Sequence, residues 1–115
     1  MSITVTRNPN PETPPAGDYG FGRIFTPHMF LMDYRDGLWH DPRIVPYGPF
    51  SLDPAAKVLH YGQEIFEGMK AYRNGKDGSV HMFRPDMNIK RFNISCQRMC
   101  MPEVDPDLFM QALEM

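Results

Sequence analysis

The chain has no glycine-rich phosphate loop and no Ser-His-Asp constellation, and its Gly20-Phe21-Gly22 stops short of the dinucleotide-binding fingerprint. P-loop hydrolysis, triad hydrolysis and Rossmann-type cofactor binding therefore have no residues to carry them. Cysteine is scarce, with 2 in 115 residues. Cys96 and Cys100 lie about one helical turn apart, where a strain-free disulfide does not form, and they read as two core thiols in a reducing compartment. His28, His40, His60 and His81 are scattered without ligand spacing, so no metal is assigned. No run approaches the roughly 20 apolar residues of a membrane span, and the first residues lack the charged and apolar regions of a secretory leader. The formal net charge is −2 with both signs interspersed, which leaves neither a basic stripe for nucleic acid nor a polybasic membrane patch. Nucleic acid and membrane are excluded as partners, and the expected location is the cytoplasm.

What the chain does hold is proline, glycine and methionine, at 12, 9 and 10 residues. The prolines crowd the first half, so regular structure there should be short and interrupted. Methionine supplies adaptable apolar bulk suited to irregular packing or an interface. A chain of this length forms one small domain, which buries only about two thirds of its unfolded surface.

Residues 1–17, ending in Asn8-Pro9-Asn10-Pro11-Glu12-Thr13-Pro14-Pro15-Ala16-Gly17, read as a mobile N-terminal arm, and residues 18–115 as a small α+β domain. Met29 to Tyr34 suits a buried strand, Asp36-Gly37 a turn, and Trp39 to Tyr47 a hairpin return whose Pro42 and Pro46 favour an edge. Asp53-Pro54 suggests a short helix capped by Asp53 and broken at Tyr61-Gly62. From Gln63 to Arg73 the pattern alternates like a strand: Ile65, Glu67, Met69 and Ala71 share one face, and Phe66, Gly68, Lys70 and Tyr72 the other. Asn74 to Ser79 forms a loop, and Val80 to Phe83 is the antiparallel return. Pro85 opens a helix running to about Met101, with Ile89, Phe92, Cys96 and Met99 as its buried stripe. Asp105-Pro106 starts a second helix through Leu108, Phe109, Ala112 and Leu113.

Few residues carry chemistry. Arg91 borders the buried stripe of the long helix, whereas Lys90 and Arg98 are directed to solvent, so Arg91 is the candidate for an anion that needs a planar guanidinium fork. A solvated or ion-paired helix arginine is the plainer alternative. Phe21, Tyr61 and Phe66 can form an apolar pocket with one oriented hydroxyl, or simply belong to the core. Gly68 within a strand fits a close approach by a ligand or a bulge. Glu64 and Glu67 fall on opposite faces and do not make an acid/base pair.

The chain resembles the branched-chain amino acid aminotransferases, pyridoxal-phosphate enzymes of fold type IV. The likeness rests on Phe21-Gly22 with His28-Met29, Pro42-Arg43-Ile44, Leu59-His60-Tyr61, Phe66-Glu67-Gly68-Met69-Lys70-Ala71, and Phe83-Arg84 with Arg91, in that order. It implies the small N-terminal α+β domain of such an enzyme, an antiparallel sheet with helices packed on it. It further implies that Arg91 holds the phosphate of pyridoxal 5'-phosphate and that Phe21, Tyr61 and Phe66 shape a pocket for a branched aliphatic side chain. The implied reaction moves the amino group of leucine, isoleucine or valine to 2-oxoglutarate by ping-pong kinetics. Branched-chain L-amino acids, glutamate and 2-oxo acids are the implied partners, in a homodimer.

The family's cofactor lysine is expected beyond Met115. Lys57, Lys70, Lys76 and Lys90 match other family positions, so no catalytic residue is assigned here and the fragment alone is expected to be inactive. Two alternatives stand beside this reading. One is another fold-type-IV enzyme, a D-amino acid aminotransferase or an aminodeoxychorismate lyase, against which Phe21 and the Phe-Glu-Gly-Met-Lys-Ala run argue. The other is a non-catalytic module acting through subunit contacts of its methionine-rich surface.

Overall fold

The computed structural model describes residues 1–115 and divides into two compact units, Met1–Ser51 and Leu52–Met115. Both strands and helices are present, so the chain is α+β, with short sheets that are mostly antiparallel.

The first unit is built on a hairpin of β2 (His28–Arg35) and β3 (Leu38–Pro46). Its turn is Asp36-Gly37, with φ of 53° and 77°, the positive values that a tight two-residue connection requires. The alternating register pairs Tyr34 with Trp39, whose rings meet edge to face at 5.0 Å. The expectation that β3 is an edge strand is corrected. It lies in the middle, because β1 (Thr4–Val5) pairs with Arg43 and Ile44 in parallel on its other side. Pro42 is tolerated there because the ladder bulges between Leu31 and Asp33, with Asp41 at a φ of 52°. Arg43 braces this bulge, its Nη1 donating to Asp33 Oδ2 and to the Asp41 carbonyl, both at 2.9 Å. The segment expected as an arm over 1–17 thus carries a strand, and Asn8 N–H further donates to His28 Nε2 at 2.8 Å.

In the second unit α1 (Lys57–Tyr61) begins later than expected. Asp53 accepts from Ala55 N–H at 2.7 Å and closes a turn rather than capping the helix, so Ala56 occupies the cap position. Gly62, at a φ of 58°, ends α1 in the left-handed conformation, as the Tyr61-Gly62 break predicts. The hairpin of β4 (Ala71–Arg73) and β5 (Val80–Met82) follows, joined through Asn74 to Ser79.

The expected strand over Gln63–Arg73 is corrected to its last three residues. Gln63 to Lys70 has no ladder partner, yet its burial alternates as predicted, with Ile65, Glu67 and Met69 half-buried while Phe66, Gly68 and Lys70 are exposed. A helix replaces the missing strand neighbour. Gln63 Nε2 donates to the Met99 carbonyl at 2.9 Å, and Asn88 Nδ2 donates to the Gly68 carbonyl at 3.0 Å. Four extended residues advance about 13 Å, close to the about 12 Å of helix between Arg91 and Met99. The segment therefore matches the helix along its length.

That helix, α2 (Pro85–Arg98), has Pro85 at its first position and buries Ile89, Asn93 and Cys96. It stops before Met101 by a two-bond terminal motif in which Met101 N–H reaches the Cys96 carbonyl at 2.8 Å and Cys100 N–H the Gln97 carbonyl at 3.3 Å. Cys100 holds the left-handed position of that motif at a φ of 54° and is exposed, so only Cys96 is a core thiol. Met99, expected in the buried stripe, is displaced from it by the same turn and is 36 % exposed. Helix α3 (Pro106–Glu114) is capped by Asp105, whose carboxylate accepts from Asp107 N–H at 2.9 Å. Phe92 and Phe109 join the two helices, their ring centroids 5.8 Å apart, over a core of Ile89, Cys96, Val104 and Leu108.

Candidate functional site

The chemistry of the second unit concentrates where the extended segment crosses the first half of α2. Glu67 lies on the inward face with Ile65 and Met69, and its side chain is only 5 % exposed. A carboxylate enclosed to that degree needs donors to replace water. Arg91 Nε donates to Oε2 at 2.8 Å while Arg91 Nη2 donates to Oε1, a bidentate pair. Asn88 Nδ2 adds a bond to Oε1 at 3.0 Å, and Gly68 N–H another at 3.1 Å. The Arg91 bond, helped by Asn88, holds the Glu67 carboxyl down to about 2, against the opposing effect of burial. Glu67 is therefore ionised at neutral pH in the folded protein. Glu67 in turn raises the Arg91 guanidinium above its ordinary value, first through the same hydrogen bond.

Arg91 reaches Glu67 from the second turn of α2, and its side chain is 68 % exposed. It lines an open depression of about 200 Å³ together with Phe83, Arg84, Met87 and Asn88. Arg84 stands at the cap position of α2 in the left-handed region, φ 48° and ψ 54°, and makes no ion pair. The depression is therefore lined by two arginines near the positive end of a helix, one of them held by Glu67. A guanidinium has five N–H groups, and Glu67 uses two from Arg91, so the donor set fits an oxyanion such as a phosphate.

The sequence-predicted pocket residues are distributed differently. Phe21 belongs to the first unit and is 99 % exposed. Tyr61 ends α1 at 82 % exposure, and Phe66 is 91 % exposed on the face of the extended segment opposite Glu67. Within the second unit, Phe66 and the Arg91 site thus occupy opposite sides of one stretch of chain. The reading of these rings as ordinary core is overturned by their exposure.

Glu67 and Asn88 are the residues that sequence reasoning missed. The signal was present: a carboxylate between Ile65 and Met69 on an inward face calls for a cation, and Arg91 already bordered the buried stripe of the next helix. No Ser-His-Asp triad is assembled either. Ser79 Oγ lies 2.6 Å from Asp77 Oδ1 and 2.7 Å from His81 Nε2, but the carboxylate meets the serine and not the imidazole, in an exposed loop. No group of three or more His, Cys, Asp or Glu side chains is disposed to hold a metal ion. No helix is long and apolar enough to cross a membrane.

No protein-family model matches the chain. Curated proteins do. Branched-chain-amino-acid transaminase 1 of Bacillus subtilis is 56% identical over 103 residues, 89% of this chain and 29% of that protein. Branched-chain-amino-acid aminotransferase 2 of the same organism is 47% identical over 115 residues, 99% of this chain and 31% of that protein. The branched-chain-amino-acid aminotransferase of Mycolicibacterium smegmatis is 45% identical over 119 residues, 98% of this chain and 32% of that protein. The chain thus spans about three tenths of the length of the relatives it matches, and corresponds to an N-terminal part of them.

Proposed function

We propose, from the premise that this chain is homologous over most of its length to branched-chain amino acid aminotransferases, that it is the phosphate-gripping and side-chain-selecting part of such an enzyme. The whole enzyme, of fold type IV and cytoplasmic, would move the amino group of leucine, isoleucine or valine to 2-oxoglutarate, working as a homodimer. The single observation that carries this reading is the pair of arginines lining one depression over the first two turns of α2: Arg91, held by Glu67, and the unpaired Arg84.

The residues present fit pyridoxal 5'-phosphate at its phosphate end. Arg91 would hold that phosphate through the N–H groups not taken by Glu67, with Arg84 adding charge from the helix start. When bound, the cofactor supplies an electron sink for the Cα of the amino acid. Tyr61 and Phe66 would select the side chain by apolar fit, and their exposure in this chain leaves their surfaces open to a substrate and to further protein. Proton transfer at Cα would fall to a residue outside this chain, because Lys57, Lys70, Lys76 and Lys90 are all exposed and none is enclosed beside an anion.

Titration of pyridoxal 5'-phosphate into the complete enzyme and its variants tests the reading. Arg91→Ala should weaken retention far more than Lys90→Ala, with leucine-to-2-oxoglutarate transfer falling in parallel, and equal effects would remove Arg91 from the phosphate role. The 115-residue chain alone should catalyse no transfer, and measurable turnover would sink the claim that proton transfer lies elsewhere.

A further inference from the structure

We propose that Glu67 is the positioning residue for the anion-binding arginine, so that Arg91 grips a phosphate only with the edge that Glu67 leaves open. The proposal rests on the phosphate reading above and deepens it.

Three observations support it. First, the pair is bidentate, engaging Arg91 Nε and Nη2, which fixes the guanidinium plane as well as its position. One Nη1 hydrogen and the second Nη2 hydrogen form the other straight edge of the fork, and the remaining Nη1 hydrogen points to the Cδ side. Second, Glu67 is itself immobilised. Gly68 N–H and Asn88 Nδ2 hold the carboxylate, and Asn88 Nδ2 also donates to the Gly68 carbonyl at 3.0 Å, tying the peptide that carries it to α2. Third, nothing else steadies the arginine. Its side chain is 68 % exposed, and Glu67 is its only side-chain partner. Freed of Glu67, a long side chain would sample many rotamers, and ordering it would cost binding energy.

Charge and geometry oppose one another here, which makes the proposal testable by sign. Glu67 is an anion close to where an anionic group would sit, so by Coulomb attraction alone its removal should tighten phosphate binding. If it positions Arg91, its removal should weaken binding despite the gain in positive charge.

The experiment is calorimetric titration of inorganic phosphate and of pyridoxal 5'-phosphate into the full chain, with folding checked by circular dichroism. Glu67→Gln should weaken both by about tenfold. Glu67→Asp, which keeps the charge but shortens the reach, should bind no better than Glu67→Gln. In an Arg91→Lys background Glu67→Gln should cause no further loss, since an ammonium has no fork to orient. Binding by Glu67→Gln as tight as wild type or tighter, or full affinity in Glu67→Asp, overturns the positioning role while leaving the phosphate site intact. An equal loss in the Arg91→Lys background also overturns it, by assigning the effect to the backbone of the extended segment. A wild-type chain that binds neither ligand overturns the phosphate reading, and the proposal with it.

Discussion

Asn93 grips both polar groups of Val104: its Nδ2 donates to the Val104 carbonyl at 2.8 Å and its Oδ1 accepts from the Val104 N–H at 2.9 Å. Both residues are only 9 % exposed. The two bonds dock the chain that links α2 to α3 against α2, and so fix where α3 begins. Asn93→Ala leaves a buried N–H and a buried carbonyl without partners and should cost about 1–3 kcal/mol of stability. Chemical unfolding of the chain checks this. Asn93→Asp should be similarly harmful, because a carboxylate has no donor for the Val104 carbonyl. A neutral result for either variant would mean that water replaces the amide.

Cys100 sits where glycine is usual. Its φ of 54° completes the end of α2 at the expense of a crowded Cβ. Cys100→Gly should raise stability by about 1 kcal/mol, and a loss would show that the sulfhydryl has packing the backbone geometry does not reveal. The two thiols should also differ in reactivity. Cys100 is exposed, whereas burial, with Glu103 adding to it, pushes the Cys96 thiol up and away from the reactive thiolate. Titration with a thiol reagent at pH 8 should label Cys100 rapidly and Cys96 only after unfolding.

Acid should weaken the second unit through Glu67. Its carboxyl is held at about 2 in the folded state against an ordinary 4.5, so the folded state prefers the ionised form. The stabilisation is complete above pH 4.5 and is lost as the pH falls through the folded value of about 2. Melting temperatures measured across that window should fall with pH in the wild type. Glu67→Gln should flatten this part of the curve, and an unchanged slope would assign acid sensitivity to other carboxylates.

How far the sequence led depends on which forces its pattern records. Local chemistry was legible: Asp36-Gly37 named its turn, Gly62 ended α1, Pro85 and Asp105-Pro106 opened their helices. The alternation from Gln63 to Lys70 was legible as well, but it records only that two faces differ, not what covers the inward one. A strand and an extended segment pinned to a helix share that pattern, so the ladder was expected where Asn88 and Gln63 instead provide the bonds. Asn93 escaped notice for a related reason, since an amide on a helix gives no sign in sequence that a main-chain peptide will come to meet it. The same holds at the site. The position of Arg91 beside the buried stripe is visible in the pattern, while its pairing with Glu67 depends on which helix packs on the extended segment, which local alternation does not record.

Phe66 offers the sharpest separation of recognition from stability. At 91 % exposure it loses little burial when truncated, so Phe66→Ala should leave the unfolding free energy of this chain within about 0.5 kcal/mol of wild type. A ring kept in water has no folding role within this chain, and contact with the substrate side chain is the role proposed for it. In the complete enzyme the same substitution should reduce the preference for leucine over alanine by about 10- to 200-fold, the amount that apolar fit confers. Steady-state kcat/KM for the two amino acids measures it. Tyr61→Phe provides the control, because it keeps the apolar surface and removes only the hydroxyl. Unchanged selectivity in Phe66→Ala would remove Phe66 from the pocket, and a large loss of stability would mean that its ring is covered in the folded chain.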